Sequence, residues 1–110
     1  MSTTTASEPI HVESESQFDE LLESNAVVLV DYHAEWCGPC KMLEPTVKDV
    51  AAESDAAVLK VDIDELRSIA EKRGIRSVPT LAFYSNGELK DTVIGVQDKD
   101  DLLDAIAKLA

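Results

Sequence analysis

The sequence predicts an α/β fold: a central mixed β-sheet of about five strands flanked by four helices. Three observations carry this. Short apolar runs alternate with segments whose apolar residues recur at helical spacing, the pattern of parallel strands joined by crossover helices. One run, Ala26 to Val30, is unbroken, as in a strand covered on both faces. Near the end two strand-like runs flank Asn86-Gly87, a pair suited to the positive φ values of a tight hairpin.

Residues 1–9 are polar and Thr-rich and read as a flexible N-terminal tail, so the domain is expected over 10–110. His11-Val12 belongs to a short first strand. Ser14 and Gln17 have capping-box spacing, and Phe18, Leu21 and Leu22 follow at helical offsets. Ala26–Val30 is the second strand. A second helix starts at Cys37, its apolar face made by Leu43, Val47, Val50 and Ala51, with Pro45 expected to kink it. Val58–Ile63 reads as a strand. Leu66, Ile69 and Ala70 mark a short helix stopped near Gly74. Leu81–Tyr84 and Leu89–Ile94 form the closing hairpin. Leu102, Leu103, Ile106 and Leu109 line one face of a last helix, with Asp98 as its cap. Right-handed crossovers join the parallel strands, and the hairpin adds antiparallel ones.

The 110 residues suit one domain with one core, and 45% of them are hydrophobic, against a disordered chain. No run approaches the roughly 20 apolar residues of a membrane span. The first residues lack a signal peptide's basic region and apolar core, so a cytoplasmic protein is expected. Ten Lys and Arg face 22 Asp and Glu, a formal net charge of -12. That balance opposes phosphate neutralisation, so neither nucleic acid nor an anionic membrane is an expected partner. It suits either a surface adapted to high salt or an ordinary acidic protein.

Both cysteines lie in Trp36-Cys37-Gly38-Pro39-Cys40-Lys41, after a buried strand and at the start of a helix. Residues at i and i+3 share a helix face with Cα atoms about 5–6 Å apart, inside the range a disulfide closes. The helix N-terminus has unpaired N–H groups and roughly half a positive charge, which favour a thiolate over a thiol. Cys37, at the end, is expected to be the more exposed and more acidic sulfur. Cys40, one turn inside, is placed to resolve a mixed disulfide. Pro39 fits a first turn, where its missing N–H has no partner to lose. The alternatives are weaker. A purely structural disulfide over so small a loop contributes only about 2 kcal/mol. A zinc site needs four ligands; one CxxC supplies two, His11 and His33 are the only histidines, and there is no second Cys pair. Inert thiols would leave the placement unexplained. A dithiol–disulfide redox centre is the reading adopted, with no metal.

With Val30-Asp31-Tyr32 before this string, Met42 and Pro45 after it, Gly74-Ile75-Arg76-Ser77-Val78-Pro79-Thr80 and Asn86-Gly87…Gly95 further on, the chain resembles the thioredoxin family over about residues 10–110. The resemblance implies a protein-disulfide reductase in which Cys37 attacks, Cys40 resolves, and Gly38-Pro39 is the dipeptide typical of reductants. It implies no bound cofactor. The expected partners are a thioredoxin reductase or equivalent donor and disulfide-containing clients, and the expected state is a monomer. It makes Asp31 the proton acceptor behind Cys40, with Lys60 as its partner; as the only ionisable residue in an apolar run of a central strand, Asp31 is itself expected to have a raised pKa, the alternative being that it ends the strand and caps a neighbouring turn. It makes Pro79 a cis-proline, against the roughly 5–6% base rate for X-Pro bonds. It maps a shallow client-binding groove onto Trp36, Ile63, Val78, Pro79, Gly95 and Val96, where an extended chain pairs with the Val78 backbone. Two departures stand out. His33 replaces a usual aromatic residue, and a positive imidazole there would favour the thiolate. Ser77 replaces a frequent Gly at the groove's border. The competing functions are a disulfide oxidase or isomerase, which Gly38-Pro39 disfavours, and a redox-inert binding module using the same groove.

Overall fold

In the computed structural model, which describes residues 8–110, alternating strands and helices build one five-stranded sheet. The chain runs β1 (Ile10–His11), α1 (Glu15–Ser24), β2 (Val27–His33), α2 (Gly38–Glu53), β3 (Ala57–Asp62), α3 (Arg67–Arg73), β4 (Thr80–Ser85), β5 (Glu88–Ile94) and α4 (Lys99–Leu109). The strand order is β1-β3-β2-β4-β5. β1, β3 and β2 are parallel, and β4 and β5 join antiparallel. The expected tail over 1–9 falls largely outside the described residues; Pro9 directly precedes β1.

Each face of the sheet buries its own cluster. The side chains of β2 alternate: Val28, Val30 and Tyr32 pack with Leu59, Val61, Ala82 and Tyr84 under α1 and α3, through Phe18, Leu22 and Ile69. Leu29 packs with Val58, Leu81 and Phe83 under α2 and α4, through Leu43, Val47, Val50, Leu102 and Ile106. Period-two alternation on the strands and the apolar stripe on each helix therefore meet twice, once on each side.

Local chemistry sets the boundaries. Ser14 caps α1, its Oγ accepting from Gln17 N at 3.1 Å. Gln17 Oε1 accepts in return from Glu13 N at 2.6 Å, one residue earlier than a standard capping box requires. α3 ends at Gly74, whose φ of 70° is left-handed and lets Ile75 N bond back to Ala70 O. The hairpin turns on Asn86 and Gly87, with φ 52° and 82°, the two positive values of a type I′ turn. Asp98 is the N-cap residue of α4 but its side chain makes no capping bond; Asp100 and Asp101 supply the negative charge in that helix's first turn. β2 continues three residues beyond the apolar run, through Asp31 and Tyr32 to His33, because its neighbours still offer ladder partners there. α2 runs through Pro45 to Glu53 as one helix.

Candidate functional site

The cysteines sit where β2 passes into α2. Cys37 is the N-cap residue of α2, and Pro39 occupies its first turn. Cys37 and Cys40 form a disulfide with Cα atoms 5.3 Å apart. Cys37 Sγ accepts the Cys40 backbone N–H at 3.1 Å, so the sulfur satisfies one of the free amides of the helix end. A thiolate at that position meets the same donor and the positive end of the helix dipole. The expected difference in exposure is absent: in the disulfide both cysteines are 4% exposed. Cys37 is held down because the bridge packs on Ala34, Ile63 and Val78.

Asp31 lies on the face of β2 that packs beneath α2, two residues beyond Leu29 and on the side of the sheet to which Cys40, Leu43 and Val47 turn. It is 1% exposed, and its Oδ1 has no hydrogen-bond partner. Burial pushes its pKa up to about 6; Lys60 opposes that rise and Glu44 adds to it. Lys60 stands opposite Asp31 in the β2–β3 register but directs its ammonium to Glu44, Nζ to Oε2 3.5 Å. The carboxylate thus has a nearby positive charge without a direct bond to it, which leaves burial dominant.

His33 follows on the same face. It lines a concavity of about 360 Å³ with Ala34, Glu35, Cys40, Lys41 and Glu44. Its Nε2 is buried without a partner, and its pKa is lowered by burial first and by Lys60 second. Burial thus works against the positive imidazole expected to favour the thiolate.

The Val78–Pro79 peptide bond is cis. Val78 is half-buried against the cysteines, as is Ile63. Gly95 N donates to Pro79 O at 2.9 Å, tying the end of β5 to the proline loop; its φ of 95° is one that side-chain-bearing residues rarely adopt. Val96 is exposed and Trp36 is 70% exposed, so neither belongs to the core. Trp36 is oriented by its indole N–H, which donates to Asp64 Oδ2 at 2.9 Å. Asp62, buried at the end of β3, accepts from the backbone N–H groups of Asp64 and Glu65 and so shapes the turn that presents Asp64. Asp64 and Glu44 were not legible as site residues: in a chain with 22 carboxylates, nothing local distinguishes these two.

The thioredoxin family model matches residues 9–108. The chain belongs to the thioredoxin family. A thioredoxin of Rickettsia felis is 53% identical over 91 residues, 81% of this chain and 87% of the relative. One from Staphylococcus haemolyticus is 43% identical over 97 residues, covering 86% and 92%. Among solved structures, a single-substitution mutant of the thioredoxin from Halobacterium salinarum superposes with a TM-score of 0.93 at 44% identity, covering 98% of this chain and 96% of that one. Plasmodium falciparum thioredoxin superposes with a TM-score of 0.84 at 37% identity, covering 92% and 99%. With the paired cysteines in place, the protein is a thiol–disulfide oxidoreductase that reduces disulfides. No helix among the described residues is long and apolar enough to cross a membrane.

Proposed function

We propose that Cys37 is the nucleophile and Cys40 the resolving thiol of protein-disulfide reduction. The observation that carries this is the Cys40 N–H bond to Cys37 Sγ, which gives one sulfur, and not the other, a donor and a helix terminus. In the reduced protein the Cys37 thiolate attacks a client disulfide. A mixed disulfide forms and one client thiolate departs. The Cys40 thiol passes its proton to the Asp31 carboxylate, ionised above about pH 6. The Cys40 thiolate then attacks Cys37 Sγ and expels the second client thiolate. Two electrons have moved to the client, and the Cys37–Cys40 disulfide remains.

Lys60 moderates the acidity of Asp31 through space, and Gly38-Pro39 sets the helix start between the two sulfurs. Trp36, Ile63, Val78, cis-Pro79, Gly95 and Val96 form the client-binding groove, with Val78 offering its backbone to an extended chain. A thioredoxin reductase or equivalent donor restores the dithiol. The protein acts in the cytoplasm as a monomer. The net charge of -12 is an adaptation to high salt; stability is then expected to rise from low to multimolar salt, and equal unfolding midpoints in both would reject that adaptation.

The test of the roles is a Cys40→Ser variant incubated with an oxidised disulfide peptide. It is expected to accumulate a covalent adduct on Cys37, read by mass, while Cys37→Ser forms none and loses turnover. An adduct on neither variant overturns the assignment. Equilibration with thiol–disulfide buffers is expected to give a potential near -270 mV, as for a reductant; a value above about -180 mV would mark an oxidant or isomerase.

A further inference from the structure

We infer that Arg76, on a cavity that continues the client-binding groove, selects clients carrying a carboxylate two residues from the position that pairs with Val78. This rests on the groove reading above. The cavity holds about 540 Å³ between the end of α3, β4 and β5. It is continuous with the groove through the chain itself: Arg76 and Ser77 lead into Val78-Pro79, and Ile94 leads into Gly95-Val96.

Three of the ten Lys and Arg residues of this acidic chain line it: Lys72, Arg73 and Arg76. Two of them are already engaged. Lys72 pairs with Glu15, and Arg73 pairs with Asp19 at 3.7 Å while lying over the Phe18 and Tyr84 rings. Arg76 is exposed and has no ion-pair partner among the described residues. Behind the cavity's inner wall the Tyr32 hydroxyl is fully buried, with the Tyr84 hydroxyl near it. Exposed Leu89 and Ile94 form the outer, apolar wall.

An unpaired guanidinium beside an apolar wall suits the side chain of Glu or Asp entering from a bound strand. The spacing follows from strand geometry. An extended client chain advances about 3.3 Å per residue, so from the position paired with Val78 a side chain two residues along towards Ser77 is within reach of Arg76. The other end of the groove has the opposite sign, since exposed Glu35 and Asp64 flank Trp36. A carboxylate is therefore repelled there and attracted here, which fixes the direction in which an acidic client lies.

The test compares two oxidised disulfide peptides that differ only by Glu or Gln at that position, on either side of the cysteine. The readout is the Glu-to-Gln ratio of kcat/KM at low ionic strength. The ratio is expected to be about 3–5 for one of the two placements, to fall to about 1 in Arg76→Ala, and to invert in Arg76→Glu. It is expected to decline as salt is raised, because the pair is partly exposed. Ratios near 1 in the unaltered protein, or a ratio unaffected by Arg76→Glu, overturn the proposal. Trp36→Ala separates the two readings. If it slows both peptides while their ratio is 1, the groove stands and the Arg76 subsite fails; if it slows neither, the groove reading fails, and the subsite with it.

Discussion

On one face of β2, Val28, Val30 and Tyr32 sit against α1 and α3 in an apolar cluster. On the other, Leu29 starts in an equally apolar cluster, but the next residues on that face are Asp31 and His33. The first face is a core along its whole length. The second is a core under the middle of α2 and a polar site under its first turn. The difference teaches where β2 accepts buried polar groups: at the end that faces the cysteines, over Asp31 and His33, with the rest of that face apolar.

Leu29→Ala tests the apolar part of that second face and has the largest expected effect. It leaves a cavity between the sheet and α2 and is expected to cost about 3–4 kcal/mol, seen as a lower urea midpoint at any pH. A loss below about 1 kcal/mol would mean that this face is not closely packed.

Asp31→Ala tests the polar part and has the opposite sign. The folded carboxyl titrates at about 6 and the unfolded one near 3.8, so between these values the folded chain holds a proton that the unfolded chain has released. Stability therefore falls as pH rises through this window. Above about pH 6 the ionised group costs about 3 kcal/mol, and below about pH 4 the cost is gone. Asp31→Ala is expected to unfold at higher urea than the unaltered protein at pH 8 and to lose that advantage at pH 4. The same substitution, or Asp31→Asn, is expected to slow disulfide turnover near neutrality. A stability difference independent of pH, or unchanged rates from pH 6 to 9, would count against a buried titrating acceptor.

Tyr32→Phe probes the unpartnered hydroxyl on the apolar face and has the smallest effect. Removing a buried hydroxyl that bonds to nothing is expected to raise stability by about 1 kcal/mol. A loss of similar size would show that the hydroxyl has a partner in solution.

Much of this was legible in the residues. The Ser14 cap, the Gly74 stop and the Asn86-Gly87 turn depend on local backbone preferences, so their positions follow from the chain alone. Cys37-Gly38-Pro39-Cys40 ahead of Leu43 and Val47 is likewise local, since a helix start and an i, i+3 spacing are enough to bring two sulfurs together. The end of β2 was less clear, because the apolar run stops at Val30 while the strand continues to His33; ladder bonds from β3 and β4 extend it, and those partners come from distant sequence.

Sequence by itself determined the element order, the helical placement of the cysteines and the excess of negative charge, because these rest on spacing, propensity and composition. Tertiary structure decided that Lys60 turns to Glu44 and leaves Asp31 without a direct partner, that Cys37 and Cys40 are equally buried, that burial lowers the His33 pKa, and that Arg76 has no ion-pair partner among the described residues. Each of those depends on how much water and which charges remain around a group once β3, α2 and α3 have packed against it, and that is a property of surroundings, which a residue's own position in the chain does not carry.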